Sequence, residues 1–91
     1  MLELVYTPKF KRDLRRMDKR GKDRRKLKTV LEKLLNEEPL DFKYCDHALT
    51  GNYIGFRECH IEPDWLLIYK VNKTELILTA SRTGTHSDLF S

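Results

Sequence analysis

The chain has 91 residues, 40% of them hydrophobic and 35% charged, with a formal net charge of +4. That length fits one thin-cored domain spanning residues 1–91, and the composition excludes a disordered chain. No apolar run reaches the roughly 18 residues of a membrane span, and no apolar signal-peptide core precedes the first basic residues, so a cytoplasmic protein with no membrane partner is expected.

Leu2–Tyr6 reads as a short strand, with Leu2 and Leu4 on one face and Glu3 and Val5 on the other. Thr7-Pro8 then supplies an N-cap hydroxyl followed by a proline at the first helical position. Phe10, Leu14 and Met17 make one apolar stripe on an otherwise basic helix that Gly21 ends. Asp23 caps a second helix, whose stripe is Leu27, Val30, Leu31, Leu34 and Leu35 and which stops before Pro39. The short link between the two predicts an antiparallel helical hairpin.

After Pro39 the period changes to an extended one. Residues 41–52 read as loop, anchored by Leu49 and turned at Gly51. Strands are predicted over Tyr53–Ile61, Trp65–Val71 and Glu75–Arg82, with Glu62-Pro63-Asp64 as a tight turn. Leu66–Tyr69 is apolar on both faces, as befits a central strand. Thr85 and Asp88 have the spacing of a capping box for one helical turn. The predicted fold is α+β: an N-terminal strand and a two-helix hairpin packed on a twisted, mainly antiparallel four-stranded sheet.

Charge is unevenly distributed. Residues 1–28 carry twelve Lys/Arg against four acids, whereas residues 29–91 carry six against ten. A basic segment attracts a polyanion or an acidic partner, although basic helix faces are also commonly solvated surface. Cys45 and Cys59 read as reduced thiols, packed as small hydrophobes.

The residues able to do chemistry follow position 46: His47, His60, Asp64, Trp65, Arg82, His86 and Phe90. His60 and Asp64 flank one tight turn, and an antiparallel neighbour brings the end holding Arg82 beside them, with His86 four residues on. No zinc-ligand spacing is present, and Cys59 and His60 point to opposite faces of a strand, so no metal and no cofactor are expected. Metal-free RNA cleavage needs two groups that titrate near neutrality and a cation for the phosphate, and this inventory contains them. Four of them also have an ordinary structural alternative: His47 as a turn histidine, Trp65 and Phe90 as core, Arg82 as a partner of Asp64; His86, in a polar turn beside Gly84, has no apolar reason to be there.

Three segments carry a resemblance. Asp46-His47-Ala48-Leu49-Thr50-Gly51, Arg57 to Tyr69 with His60-Ile61-Glu62-Pro63-Asp64-Trp65 at its centre, and Arg82-Thr83-Gly84-Thr85-His86-Ser87-Asp88-Leu89-Phe90 resemble the YafQ branch of the RelE toxin superfamily. The resemblance implies a RelE-like fold and a metal-independent endoribonuclease that cuts mRNA in the ribosomal A site. It also implies neutralisation by a cognate antitoxin of the DinJ/RelB kind, which with the toxin represses their operon at operator DNA. By the same resemblance His47, His60, Asp64 and His86 form the acid/base cluster, Arg82 binds phosphate, and Trp65 and Phe90 flank the scissile nucleotide. The expected division of labour has Asp64 with His60 or His47 removing the 2′-proton, and His86 protonating the leaving oxygen. The basic helices, through Arg12, Arg15, Arg16, Lys19, Arg20, Arg24 and Arg25, are expected to lie against ribosomal RNA.

Overall fold

Residues 1–90 are described in a computed structural model. The first strand, β1, spans Glu3–Tyr6. Helix α1, Pro8–Lys19, begins as the sequence requires: the Thr7 hydroxyl accepts from the Phe10 amide at 3.0 Å and donates to the Ser81 carbonyl at 2.8 Å. This one side chain caps the helix and pins it to a strand more than seventy residues away. Gly21, at φ +78°, provides the left-handed turn that lets the Lys22 amide return to the Met17 carbonyl at 3.0 Å. Helix α2, Arg24–Leu35, starts under the Asp23 carboxylate, which accepts from the Arg25 amide at 2.9 Å.

The segment read as loop contains a strand. His47–Ala48 forms β2, between single 3₁₀ turns at Phe42–Tyr44 and Gly51–Tyr53. Strands β3 (Arg57–Glu62), β4 (Trp65–Asn72) and β5 (Ile77–Gly84) follow, then the short helix α3 (His86–Phe90). The predicted strand at Tyr53–Ile61 therefore starts four residues late, because Gly51–Tyr53 curls into the 3₁₀ turn. The sheet has five strands, not four, in the order β1-β5-β4-β3-β2. It is also mixed: β1 runs parallel to β5, in register Glu3 with Ile77 through Tyr6 with Ala80, and the other neighbours are antiparallel.

Both helical stripes enter one core with Trp65, Leu67 and Tyr69 of β4 and Leu78 and Ala80 of β5. The opposite face of β4 offers Leu66 and Ile68, covered by Leu89 of α3 and by Leu49, Tyr53 and Phe56. The sheet thus has a helix face and a second face only partly roofed. Among the described residues no helix is long and apolar enough to cross a membrane.

Candidate active site

Residues directly opposite one another in a ladder share a face. His47 lies opposite Glu58, Glu58 opposite Ile68, His60 opposite Leu66, and Arg82 opposite Ile68. Those registers bring His47, Glu58, His60 and Arg82 to the partly roofed face. Asp64 sits in the β3–β4 turn at one end, and α3 brings His86 and Phe90 over the same end. Three imidazoles line up there, with ring centroids 6.4 Å apart for His47 and His60 and 5.6 Å for His60 and His86.

Each ring is held differently. Nδ1 of His86 lies 2.6 Å from Oδ1 of Asp64, and the same oxygen accepts the His86 backbone amide at 2.9 Å. Those contacts, the backbone one foremost, hold the Asp64 carboxyl below its ordinary range, so it faces His86 as an anion. With Nδ1 engaged, His86 presents Nε2 outward, and its side chain is 54% exposed. His47 has Nδ1 2.7 Å from the Cys45 carbonyl and Nε2 3.0 Å from Oε2 of Glu58. Both its nitrogens face oxygen acceptors, and the imidazole can donate to both only when doubly protonated. The His60 ring stands between the two others and has no side-chain hydrogen bond among the described residues.

Asp64 therefore pairs with His86, and the expected partnership of Asp64 with His60 or His47 is not formed. The acid beside His47 is Glu58, which the sequence reading missed. Glu58 is buried, and its Oε1 has no hydrogen-bond partner among the described residues. A carboxylate alternating with apolar neighbours on a strand, Glu58-Cys59-His60, was the available signal. The strand His47–Ala48 that completes the cluster is fixed by Asp46, which accepts from the Tyr69 hydroxyl at 2.6 Å and pairs with Arg57 at 3.3 Å.

Arg82 does not pair with Asp64. Its Nε and Nη2 bind the buried Asp13 of α1 at 2.6 and 3.1 Å, and the Thr83 amide adds a third bond to that carboxylate at 3.2 Å. The Asp13 contact, ahead of a lesser one from Tyr53, raises the pKa of an already permanent cation. Nη1 and one hydrogen of Nη2 are not taken by Asp13, and Tyr53 also reaches the guanidinium. Asp13, a charge within an apolar stripe, was the second residue missed. Beside the pair, Lys9, Arg12 and Arg16 line an open cavity of about 300 Å³ with Arg82.

The two aromatic residues separate. Phe90, 47% exposed, meets Tyr53 edge-on at 5.8 Å and stands beside the cluster. Trp65 is fully buried on the helix face, its indole N–H donating to the Thr83 hydroxyl at 2.9 Å. The expected stacking of Trp65 on a base is corrected: alternation along β4 turns its ring away from His60, and a fully buried ring offers no open face. Tyr53 is the aromatic residue that borders the site instead.

All seven arginines and lysines named on the helices are exposed. Arg24 and Arg25 are tied to Asp18 and Asp23 at 2.6 and 3.0 Å, and Arg20 and Arg16 reach Asp88 at 2.6 and 3.7 Å. Among the described residues Arg12, Arg15 and Lys19 make no ion pair, so the free positive charge of this surface is concentrated on α1.

Comparison with known proteins agrees over the whole chain. A family model described as the bacterial toxin of type II toxin-antitoxin system, YafQ, matches residues 2–91. The mRNA interferase toxin YafQ of Escherichia coli is 43% identical over 89 residues, which cover 97% of this chain and 95% of the relative. The crystal structure of the E. coli DinJ-YafQ complex matches with a TM-score of 0.90, 40% identity and full coverage of both chains. A metal-bound toxin from Helicobacter pylori matches with a TM-score of 0.94 and 44% identity, covering 99% of this chain and 100% of that one.

Proposed function

The chain belongs to the YafQ family of type II toxin–antitoxin toxins, and from that premise we propose that it is an mRNA interferase cutting ribosome-bound mRNA with the histidine cluster described above. The observation that carries the mechanism is the Asp64–His86 contact at 2.6 Å, one imidazole away from His60. The Asp64 carboxylate holds Nδ1 and turns Nε2 of His86 outward, where the ring can act as the general acid for the departing 5′-oxygen. His47 has both nitrogens engaged. His60, whose ring has no hydrogen bond among the described residues, is then the base that removes the 2′-proton, and Glu58 fixes the ring of His47 beside it. The attacking 2′-oxygen expels the 5′-oxygen and leaves a 2′,3′-cyclic phosphate and a 5′-hydroxyl end.

Arg82, braced by Asp13, offers its remaining N–H groups to the phosphate as negative charge builds on it. Phe90 and Tyr53 bound the space where the bases beside the scissile bond would stack. For the phosphodiester to enter between His60 and His86 the rings must part, and the exposure of His86 leaves room for that movement. Acid, base and cation all come from the chain, which supports cleavage without a metal.

The basic surface of α1 continues from Arg82 through Arg12 and Arg16, which line one open cavity with it. It suits a sequence-independent contact with ribosomal RNA, with Arg15, Lys19 and Arg20 alongside and Arg24 and Arg25 at the start of α2. The antitoxin is a DinJ-like protein, as in the E. coli complex, and the pair would act together at operator DNA. The toxin works as a single domain in the cytoplasm.

The test is cleavage of a short mRNA on purified ribosomes by the chain and by His86→Ala, with the ends of the products mapped. Loss of a general acid predicts a fall of about 10²–10⁴-fold with ribosome binding retained. Near-full cleavage by His86→Ala would refute the assignment.

A further inference from the structure

His60 also lines a cavity of about 620 Å³ that neither His47 nor His86 borders. The other walls come from α2, from the 3₁₀ turn at Phe42–Tyr44 with Cys45 after it, and from the end of β3. Nothing in the cleavage mechanism uses this space. Its volume lies within the roughly 300–1,000 Å³ of small-ligand sites. β2 pairs with Arg57 and Glu58 of β3, so from His60 onward that edge of β3 has no strand neighbour beside the cavity.

The lining suits an anion joined to a flat ring. Glu62 is the one carboxylate among the lining residues, and Lys22 and Lys26 hold its two oxygens at 2.9 and 2.7 Å. Lys43 has no carboxylate partner for its ammonium among the described residues. That ammonium rests over the Tyr44 ring, 5.2 Å from the centroid. An exposed cation–π contact is weak. A phosphate that draws the ammonium away exchanges it for a stronger charge-assisted bond and uncovers an aromatic face for a base. Thr29 donates its hydroxyl proton to the Arg25 carbonyl at 3.0 Å and keeps lone pairs for a ribose or base donor.

We propose that this cavity receives the nucleoside on the 5′ side of the cut, with its own 5′-phosphate on Lys43 and its base against Tyr44. The side follows from the chemistry. The attacking 2′-hydroxyl belongs to that nucleoside, and His60, which takes its proton, is the histidine that lines the cavity. The departing 5′-oxygen belongs to the next nucleotide and goes with His86 and α3. This choice of side rests on the role proposed above for His60; the affinity of the cavity for a nucleotide does not.

The experiment titrates isotope-labelled protein with adenosine 5′-monophosphate and follows amide and imidazole resonances. Lys43→Gln and Tyr44→Leu are compared with Lys73→Gln in the β4–β5 turn at the far end of the sheet, with circular dichroism to verify that each is folded. Expected are shifts at Thr29, Lys43, Tyr44 and His60. Affinity should weaken about fivefold in Lys43→Gln and about tenfold in Tyr44→Leu, and stay unchanged in Lys73→Gln. An absence of shifts at millimolar ligand, shifts confined to the cavity beside Arg82, or equal affinity in Lys43→Gln and the parent would overturn the subsite. Ribosome cleavage then tests the side. Removing the base 5′ of the cut from the mRNA should lower kcat/KM about tenfold in the parent and add little to Tyr44→Leu. Removing the base 3′ of the cut should act fully in both. Coupling of Tyr44 to the 3′ base instead would leave the cavity standing and overturn His60 as the proton acceptor. A cavity that binds no nucleotide, beside a His60→Ala that holds the ribosome and no longer cuts, overturns the subsite and leaves the mechanism.

Discussion

Trp65→Phe separates a structural tryptophan from one that touches RNA. In the structure the ring is fully buried and its N–H supplies the Thr83 hydroxyl with its donor, while that hydroxyl donates to the Leu66 carbonyl at 2.6 Å. Phenylalanine keeps most of the volume, loses one hydrogen bond and leaves a small void. Together these cost about 1–2 kcal/mol. For a domain of this size that lowers the melting temperature by roughly 5–15 °C. Alanine would cost about 3–5 kcal/mol, comparable to the whole stability of a small domain, and is less informative. The assay is thermal unfolding by circular dichroism beside ribosome cleavage at a temperature where both proteins are folded. The expected outcome is a clear loss of stability with kcat and KM unchanged. Since Trp65 is the only tryptophan, its fluorescence in the parent protein should also resist acrylamide quenching, with or without RNA. A tenfold rise in KM at an unchanged melting temperature would show that the ring meets substrate, and the burial argument would fail.

Asp13→Ala should unpair Arg82 and strip the Thr83 amide, destabilising the fold by about 2–4 kcal/mol and reducing cleavage; denaturant unfolding and the ribosome assay check both effects. Asp88 caps Thr85 at 2.9 Å and binds Arg20 at 2.6 Å, so Asp88→Ala should cost about 1–2 kcal/mol in denaturant unfolding and weaken cleavage through the helix that carries His86. A Cβ at Gly84 would lie 2.9 Å from both Cβ and Oδ2 of that Asp88, so Gly84→Ala should reproduce the loss of cleavage with Asp88 intact. Cys45 is exposed, whereas Cys59 is buried and its pKa is pushed up to about 12, chiefly by burial. At pH 8 a thiol reagent should therefore modify one cysteine in the folded protein and two in denaturant.

Local signals sufficed for α1 and α2. Their starts rest on side chain–backbone bonds a few residues long, Thr7 to Phe10 and Asp23 to Arg25, and their buried stripes repeat every turn. The Thr85–Asp88 box was readable for the same reason. The pairing of Asp64 with His86 was within reach only as proximity, because the tight turn and an antiparallel neighbour bring them to one sheet end without saying which imidazole the carboxylate takes. Two residues are too short to make β2 periodic, so the strand carrying His47 read as loop.

The sequence by itself determined the helices, the β3–β4 hairpin, the charge bias toward the first 28 residues and the set of histidines from which the site is built. Tertiary structure decided which face each residue serves. Leu66–Tyr69 is apolar on both sides, so nothing within β4 tells which side the helices cover; that choice buried Trp65 and left His60 open. It likewise decided the parallel pairing of β1 with β5, since side-chain alternation is the same for either strand direction. That pairing sets α1 beside the end of β5, where Asp13 meets Arg82 across 69 positions of sequence. An ion pair of that span leaves no periodic trace, because only the folded sheet brings the two charges together.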